Sequence, residues 1–276
     1  MKIICGTDLS KNSRRSVAAA NALATRFKEH LDVVHVMHLS FTENLAAAVR
    51  EMHVQDCQEA LAEIAETLDS RGDRSQTHLR HGHADEELVG LARAPEVSLL
   101  VVGSLGHRDN GRWHLGSCAE RVAESCHKPT LIVRDDTPFR EWGDRRPLKI
   151  FVAWNFDEVS ENALRQVAEW RRHGPCEITV AHVDWPPEEA RRLGVRSDFF
   201  SARNDPLVQE VLERDLRERA AAILGEAPEH IVVEGDYSRP DFHFSHIVNE
   251  QRPDLVVCGT HQRHGFSRLA HNSFSR

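Results

Sequence analysis

Several features that would mark common functional classes are missing from this sequence. Its six cysteines, at positions 5, 57, 118, 126, 176 and 258, form no CxxC pair. That removes the usual zinc-ribbon and redox spacings. Most of these cysteines sit in apolar or helical patterns, as reduced, buried thiols do. Basic residues are in deficit, 35 Lys and Arg against 43 Asp and Glu, for a net charge of −8. A general nucleic-acid binder needs the opposite balance to neutralise phosphates. No apolar run approaches the roughly 20 residues of a membrane span. The opening MKIICGTD begins a strand at once, leaving no room for a secretory leader, so the expectation is a cytoplasmic protein. Hydrophobic content of 40% and 276 residues suit a folded chain of two ordinary domains.

What is present is an alternation of short apolar runs with helical patterns. Lys2 to Thr7 reads as a strand ending at Asp8, with Ser10 or Asn12 placed to cap a helix rich in alanine over Ser16 to Phe27. Strands follow at Leu31 to Met37, Gln76 to Arg80, Leu99 to Val102 and Thr130 to Arg134. Helical patterns lie between them, at Glu43 to Asp69, Asp85 to Ala94 and Ser117 to about Ser125. Strands alternating with helices in this way predict an α/β fold, a parallel, doubly wound, Rossmann-like sheet. The polar stretch Asp135 to Pro147, with two prolines and a glycine, reads as a linker.

After the linker the plan restarts. VAWNFDEVSENAL lies over ICGTDLSKNSRRSV, and DLVVCGTH over LLVVGSLGH. Repetition at half the chain length predicts two similar domains in tandem, 1–137 and 148–276, the second without a final helix and fifth strand.

The stretch Leu99 to Val122, LLVVGSLGHRDNGRWHLGSCAERV, carries the strongest chemical signal. A buried-type strand runs into Gly103, Gly106 follows, and Gly116-Ser117 open a helix, with Ser117 and Glu120 in capping-box relation. Strand, glycine loop and helix start in that order suit a phosphate. Glycines let backbone approach the anion, and the helix presents unpaired N–H groups with the positive end of its dipole. A tight, well-capped loop is the plain alternative. If the first and fourth strands are neighbours at the switch point of the sheet, Asp8 lies near Gly103 and can accept hydrogen bonds from a ribose hydroxyl or an adenine amino group. Its plain alternative is a cap on the first helix.

Gly103-x2-Gly106-x9-Gly116-Ser117, with the VVG strand before it, the early Asp8 and Gly82 after the third strand, resembles a universal stress protein domain of the ATP-binding subgroup. The resemblance implies that Gly6, Thr7 and Asp8 line the adenosine end and that Val36 and Val102 contact the base. It implies that Gly103, Gly106, Gly116, Ser117, Cys118 and Ala119 hold ribose and phosphates. It further implies ATP bound tightly or hydrolysed slowly, with Mg²⁺ or Mn²⁺, a role in stress survival, and pairing of chains through the fifth strand into a homodimer. The second half resembles the same family but has Asn155, Gln262 and Asn272 where the first has Asp8, Gly106 and Gly116. Only Gly259 and Ser273 of the motif remain. That predicts a degenerate copy, with a different ligand or none, and one nucleotide per chain.

Eighteen histidines are the other anomaly, and several fall at predicted strand ends: His35, His38, His78, His81, His83 and His107 in the first half. In the second half His182, Asp184, Asp236, His261 and His264 are placed similarly. Neutral imidazole is a good zinc ligand, so His81, His83 and His107 are candidates for Zn²⁺, although no pair has a metal-motif spacing. His107, at the glycine loop, or His83 could activate water in a slow ATPase. Against catalysis stands the absence of a P-loop lysine. The missing G-x-G-x-x-G after the first strand disfavours a dinucleotide oxidoreductase. A nucleotide-free interaction scaffold is the remaining class. Trp142, Trp154, Trp170 and Trp185 read as interface fillers between domains.

Overall fold

Each predicted apolar run is realised as a strand in the computed structural model of the chain, which describes residues 1–38, 47–68, 74–105, 115–143, 146–184, 206–235 and 240–260. Two compact units form, Met1–Glu141 and Trp142–Arg276. The first unit runs β1 (Lys2–Thr7), α1 (Ser13–Phe27), β2 (His30–Met37), α2 (Ala47–Thr67), β3 (Ser75–His81), α3 (Ala84–Ala92), β4 (Val97–Gly103), α4 (Ser117–Ser125), β5 (Thr130–Val133) and the short α5 (Thr137–Glu141). Its sheet has the order β3-β2-β1-β4-β5, parallel throughout. β1 and β4 are therefore neighbours, with Ile3 beside Leu99 and Cys5 beside Val101. Connections leave these two strands in opposite directions, which opens a crevice at their carboxyl ends.

One face of that sheet is sealed by α3 and α4. Leu88, Val89 and Ala92 of α3 and Ala119 and Val122 of α4 pack with Ile4, Val34, Leu100 and Val102. The alanine-rich α1 lies against β1, β2 and β4, with Ala19, Ala20 and Leu23 fully buried, because residues this small let helix and sheet approach closely. The helix α2 extends beyond the body: Ala47 to Met52 are all exposed, and only Cys57 and Leu61 reach the core.

The stretch read as a linker is anchored at several of its described residues, because its aromatics are buried. Phe139 of α5 is buried within the first unit. Trp142 is buried in the second, stacks on Trp170 at 6.0 Å and donates its indole N–H to the Pro175 carbonyl at 2.8 Å. Arg146 grips Asp254 through both terminal nitrogens, at 2.8 and 3.1 Å. Trp142 and Trp170, read from the sequence as inter-domain fillers, stack on each other within the second unit. Trp185 lies outside the described residues.

The second unit runs β6 (Leu148–Ala153), α6 (Glu158–Arg171), β7 (Cys176–Asp184), α7 (Pro206–Leu224), β8 (His230–Gly235), α8 (Pro240–Gln251) and β9 (Leu255–Val257). Its sheet is β8-β7-β6-β9, again parallel, with four strands among the described residues.

Duplication is visible down to single hydrogen bonds. His35 Nδ1 donates to the Thr7 carbonyl at 2.9 Å, and His182 Nδ1 donates to the Trp154 carbonyl at 2.9 Å, each pair 28 residues apart. A carbonyl can only accept, so both rings carry their proton on Nδ1. The turn after each first strand places one non-glycine residue in the left-handed region, Leu9 at φ 63° and Phe156 at φ 53°. Next, Ser13 N–H donates to Ser10 Oγ at 3.2 Å, and Ser160 N–H donates to Asp157 Oδ1 at 2.8 Å. In the second unit this becomes a complete capping box for α6.

Candidate functional site

The crevice between β1 and β4 gathers most of the described site residues. Asp8 follows β1 directly and is half-buried. Its Oδ1 accepts from the Ser10 N–H at 3.0 Å, which fixes the carboxylate at the rim of the crevice. A left-handed non-glycine residue costs about 1–2 kcal/mol. Here Leu9 is held in place by its own N–H donating to Thr7 Oγ1 at 3.1 Å. Thr7 is committed inward: its hydroxyl pairs with Ser13 Oγ at 2.9 Å and its carbonyl accepts from His35.

The glycines divide by what surrounds them. A Cβ on Gly6 would stand 2.6 Å from Leu88 Cδ1, so any larger residue there would force the Leu88 side chain of α3 to shift. A Cβ on Gly103 would meet nothing closer than the Leu105 carbonyl at 3.5 Å, an ordinary contact. Packing against the described residues therefore does not account for Gly103.

Beyond Gly103 the buried Ser104 donates its N–H to the Val133 carbonyl at 2.9 Å. Its carbonyl accepts the Gly116 N–H at 2.8 Å, so the glycine loop returns to the strand from which it left. Gly106 and His107 lie outside the described residues. Gly116, not Ser117, is the N-cap of α4, with φ −65° and ψ 147° and no side-chain cap bond. The capping box expected from Ser117 and Glu120 does not form. Ser117 is already the first helical residue, and Gly116 has no side chain to cap with. The N-cap of this nine-residue helix thus carries no side-chain oxygen of its own to compete for the first N–H groups. Ser117 is exposed, Cys118 is half-buried and Ala119 is buried. Val102 lies in the core beneath, with Val36 and Cys118 packed at its margin.

Charge is unevenly distributed around this helix start. Arg121, one turn into α4, donates to Asp85 at 2.8 Å and so ties α4 to the first turn of α3. Burial raises the Cys118 pKa, the carboxylates of Asp85 and, more weakly, Asp8 raise it further, and Arg121 opposes them. That thiol stays protonated near neutrality, which argues against a nucleophilic role. Sequence reasoning missed Asp85 and Arg121 because their spacing belongs to no motif. The one available cue was the acidic first turn of α3, Asp85-Glu86-Glu87.

Of the metal candidates, His81 and His83 are exposed at the end of β3, and His83 meets His38 edge-on at 4.7 Å between ring centroids. Among the described residues no three His, Cys, Asp or Glu side chains converge on a common point. None of the described helices is long and apolar enough to cross a membrane.

At the matching place in the second unit, Asn155 is exposed where Asp8 is half-buried. Gly259 is retained for packing, since a Cβ there would stand 2.6 Å from the Val159 carbonyl oxygen. Trp154 and Phe156 replace Thr7 and Leu9. Phe156 packs edge-on against His182 at 4.8 Å and Trp154 at 6.1 Å, and the Arg219 guanidinium lies 5.7 Å from its ring. Gln262, Asn272, Ser273, Asp236, His261 and His264 lie outside the described residues.

Comparison with known proteins gives a consistent result. The profile of the Universal stress protein family matches twice, over residues 1–134 and 148–276. A universal stress protein of Methanocaldococcus jannaschii is 29% identical over 138 residues, which is 48% of this chain and 81% of that protein. One from Bacillus subtilis is 26% identical over 145 residues, 48% of this chain and 98% of that protein. Among solved structures, a universal stress protein from Archaeoglobus fulgidus superposes with a TM-score of 0.66 at 18% identity, covering 92% of this chain and 85% of that one. At that identity the structural likeness concerns the fold.

Proposed function

The chain belongs to the universal stress protein family, as two tandem domains, and from that premise we propose that the first domain binds ATP, or another adenine nucleotide, and acts by conformation in a stress response. One observation carries this reading: the uncapped start of α4, tied by Gly116 back to Ser104 at the end of β4 and set across the crevice from Asp8. Phosphates would accept from the N–H groups of Ser117, Cys118 and Ala119, with the helix dipole in their favour. Asp8 would accept from the sugar or the base, and Val36 and Val102 would supply the apolar wall under the ring. Mg²⁺ or Mn²⁺ would accompany the phosphates.

Binding is proposed for one domain only. In the second, Asn155 lacks the charge of Asp8, and Gln262 and Asn272 stand where the motif needs glycine. Two lost phosphate contacts, at about 1.5–3 kcal/mol each, weaken binding by two orders of magnitude or more. Mass spectrometry of the ligand released by denaturing the purified protein tests the proposal. An adenine nucleotide is expected, and a different compound class would overturn it.

A further inference from the structure

The function proposed above leaves the histidines unexplained, and one pair of them is arranged for a task of its own. His38 follows the last residue of β2, and His83 precedes the first residue of α3. Both side chains are exposed, and their rings meet nearly perpendicular, at 87° and 4.7 Å between centroids.

Backbone geometry holds the two together. Each is one residue beyond a hydrogen bond in which the Gly82 N–H donates to the Met37 carbonyl at 3.0 Å. Gly82 has φ 149°, and a Cβ there would lie 2.9 Å from Glu87 Cγ, so the turn that brings His83 round is closed to other residues. Helix stability does not account for His83. It occupies the N-cap of α3 with no side-chain cap bond, where Asp or Ser would add about 1 kcal/mol.

Nearby charge is of the sign that draws cations. The first turn of α3 carries Asp85, which is paired with Arg121, and then Glu86 and Glu87, and the Glu87 side chain lies across Gly82, with Oε1 3.1 Å from the position of a Cβ there.

The geometry points to a divalent transition-metal site in which the imidazoles of His38 and His83 chelate one ion, with water completing the coordination and Glu87 as the adjacent counter-charge. Two nitrogens bound to one tetrahedral zinc at about 2.0–2.1 Å stand roughly 3.4 Å apart, a separation within the span of two imidazoles whose centroids are 4.7 Å apart. Imidazole selects zinc, nickel or copper over magnesium and calcium, so this site is distinct in chemistry from a metal carried by nucleotide phosphates. It needs neither nucleotide nor the glycine loop.

The test uses the full chain, stripped of metal with EDTA, desalted, and titrated calorimetrically with ZnCl₂ and separately NiCl₂ in the absence of nucleotide. One ion should bind wild type with an affinity at least tenfold higher than it binds His38→Ala or His83→Ala, and the double variant should bind no better than either single one. Losing a direct ligand should cost no less than the tenfold that even outer partners of a metal site are worth. The ion should raise the Tm of wild type and not of the variants, since it stabilises only the state that binds it. His81→Ala should keep the site, and so should Gly116→Asp. Identical titrations for wild type and both single variants, or no binding at all, would overturn the assignment.

Discussion

Replacing Gly116 by aspartate separates the stability of the first domain from its binding. Gly116 sits at the N-cap of α4 with φ −65° and ψ 147°, a conformation open to any residue and the one in which aspartate caps a helix. The new carboxylate should accept from the N–H groups of the first turn and meet the positive end of the dipole. Capping by aspartate rather than glycine adds a few tenths of a kcal/mol, and the dipole term adds about 0.3–1 kcal/mol. The Tm of the variant should therefore equal or exceed that of wild type, by about 1–4 °C for a unit of this size.

Nucleotide binding should move the other way. The carboxylate occupies the donors that phosphates would use and adds a like charge beside them. Loss of two charge-assisted bonds at about 1.5–3 kcal/mol each implies a fall of roughly 10²- to 10⁴-fold in affinity. Thermal melts and calorimetric titration with ATP, on the same preparations, read both quantities. A variant at least as stable as wild type that binds ATP equally well would refute phosphate capture at this helix start.

Further predictions concern packing, assembly and reactivity. Gly6→Ala should destabilise the first unit by about 1–3 kcal/mol, because its Cβ would stand 2.6 Å from the buried Leu88, whereas Gly103→Ala should melt within about 0.5 kcal/mol of wild type. Equal melts would show that the crowding at Gly6 is not real. Asp157→Ala removes the capping box of α6 and should lower the stability of the second unit by about 1 kcal/mol, seen as a shift of a few degrees in its thermal transition. β5 is an edge of its sheet, and we expect two copies of the chain to pair through Thr130–Val133. Light scattering should then give a dimer mass at micromolar concentration, and a monomer would contradict the pairing. Cys5 is fully buried and its thiol pKa is pushed up to about 12 by that burial, so it should resist alkylation at pH 8 until the chain unfolds.

The strands were the most legible part of the fold, since runs such as LDVVHVM and LLVVG have no other use in a chain of this composition. Adjacency of β1 and β4 stood only as a condition in the sequence reading; the sheet order meets it and brings Asp8 and Gly103 to one crevice. Short-range competition was harder to read. Ser117 and Glu120 have the spacing of a capping box, yet the helix starts one residue earlier, because Gly116 is drawn to the Ser104 carbonyl. The linker composition of Asp135 to Pro147 concealed two anchors, Phe139 and Trp142, whose burial outweighs the surrounding polarity. Contacts between residues distant in sequence left no periodic trace. The Arg121–Asp85 pair, the meeting of His38 with His83, and the crowding around Gly6 and Gly259 all depend on tertiary neighbours.

The central claim is one adenine nucleotide per chain, held in the first domain. Isothermal titration of nucleotide-stripped protein with ATP and Mg²⁺ tests it most directly, repeated on the Gly116→Asp variant. The account predicts a single site per chain in wild type and its loss in the variant. Two sites of similar affinity, or one site that survives the substitution unchanged, would contradict it.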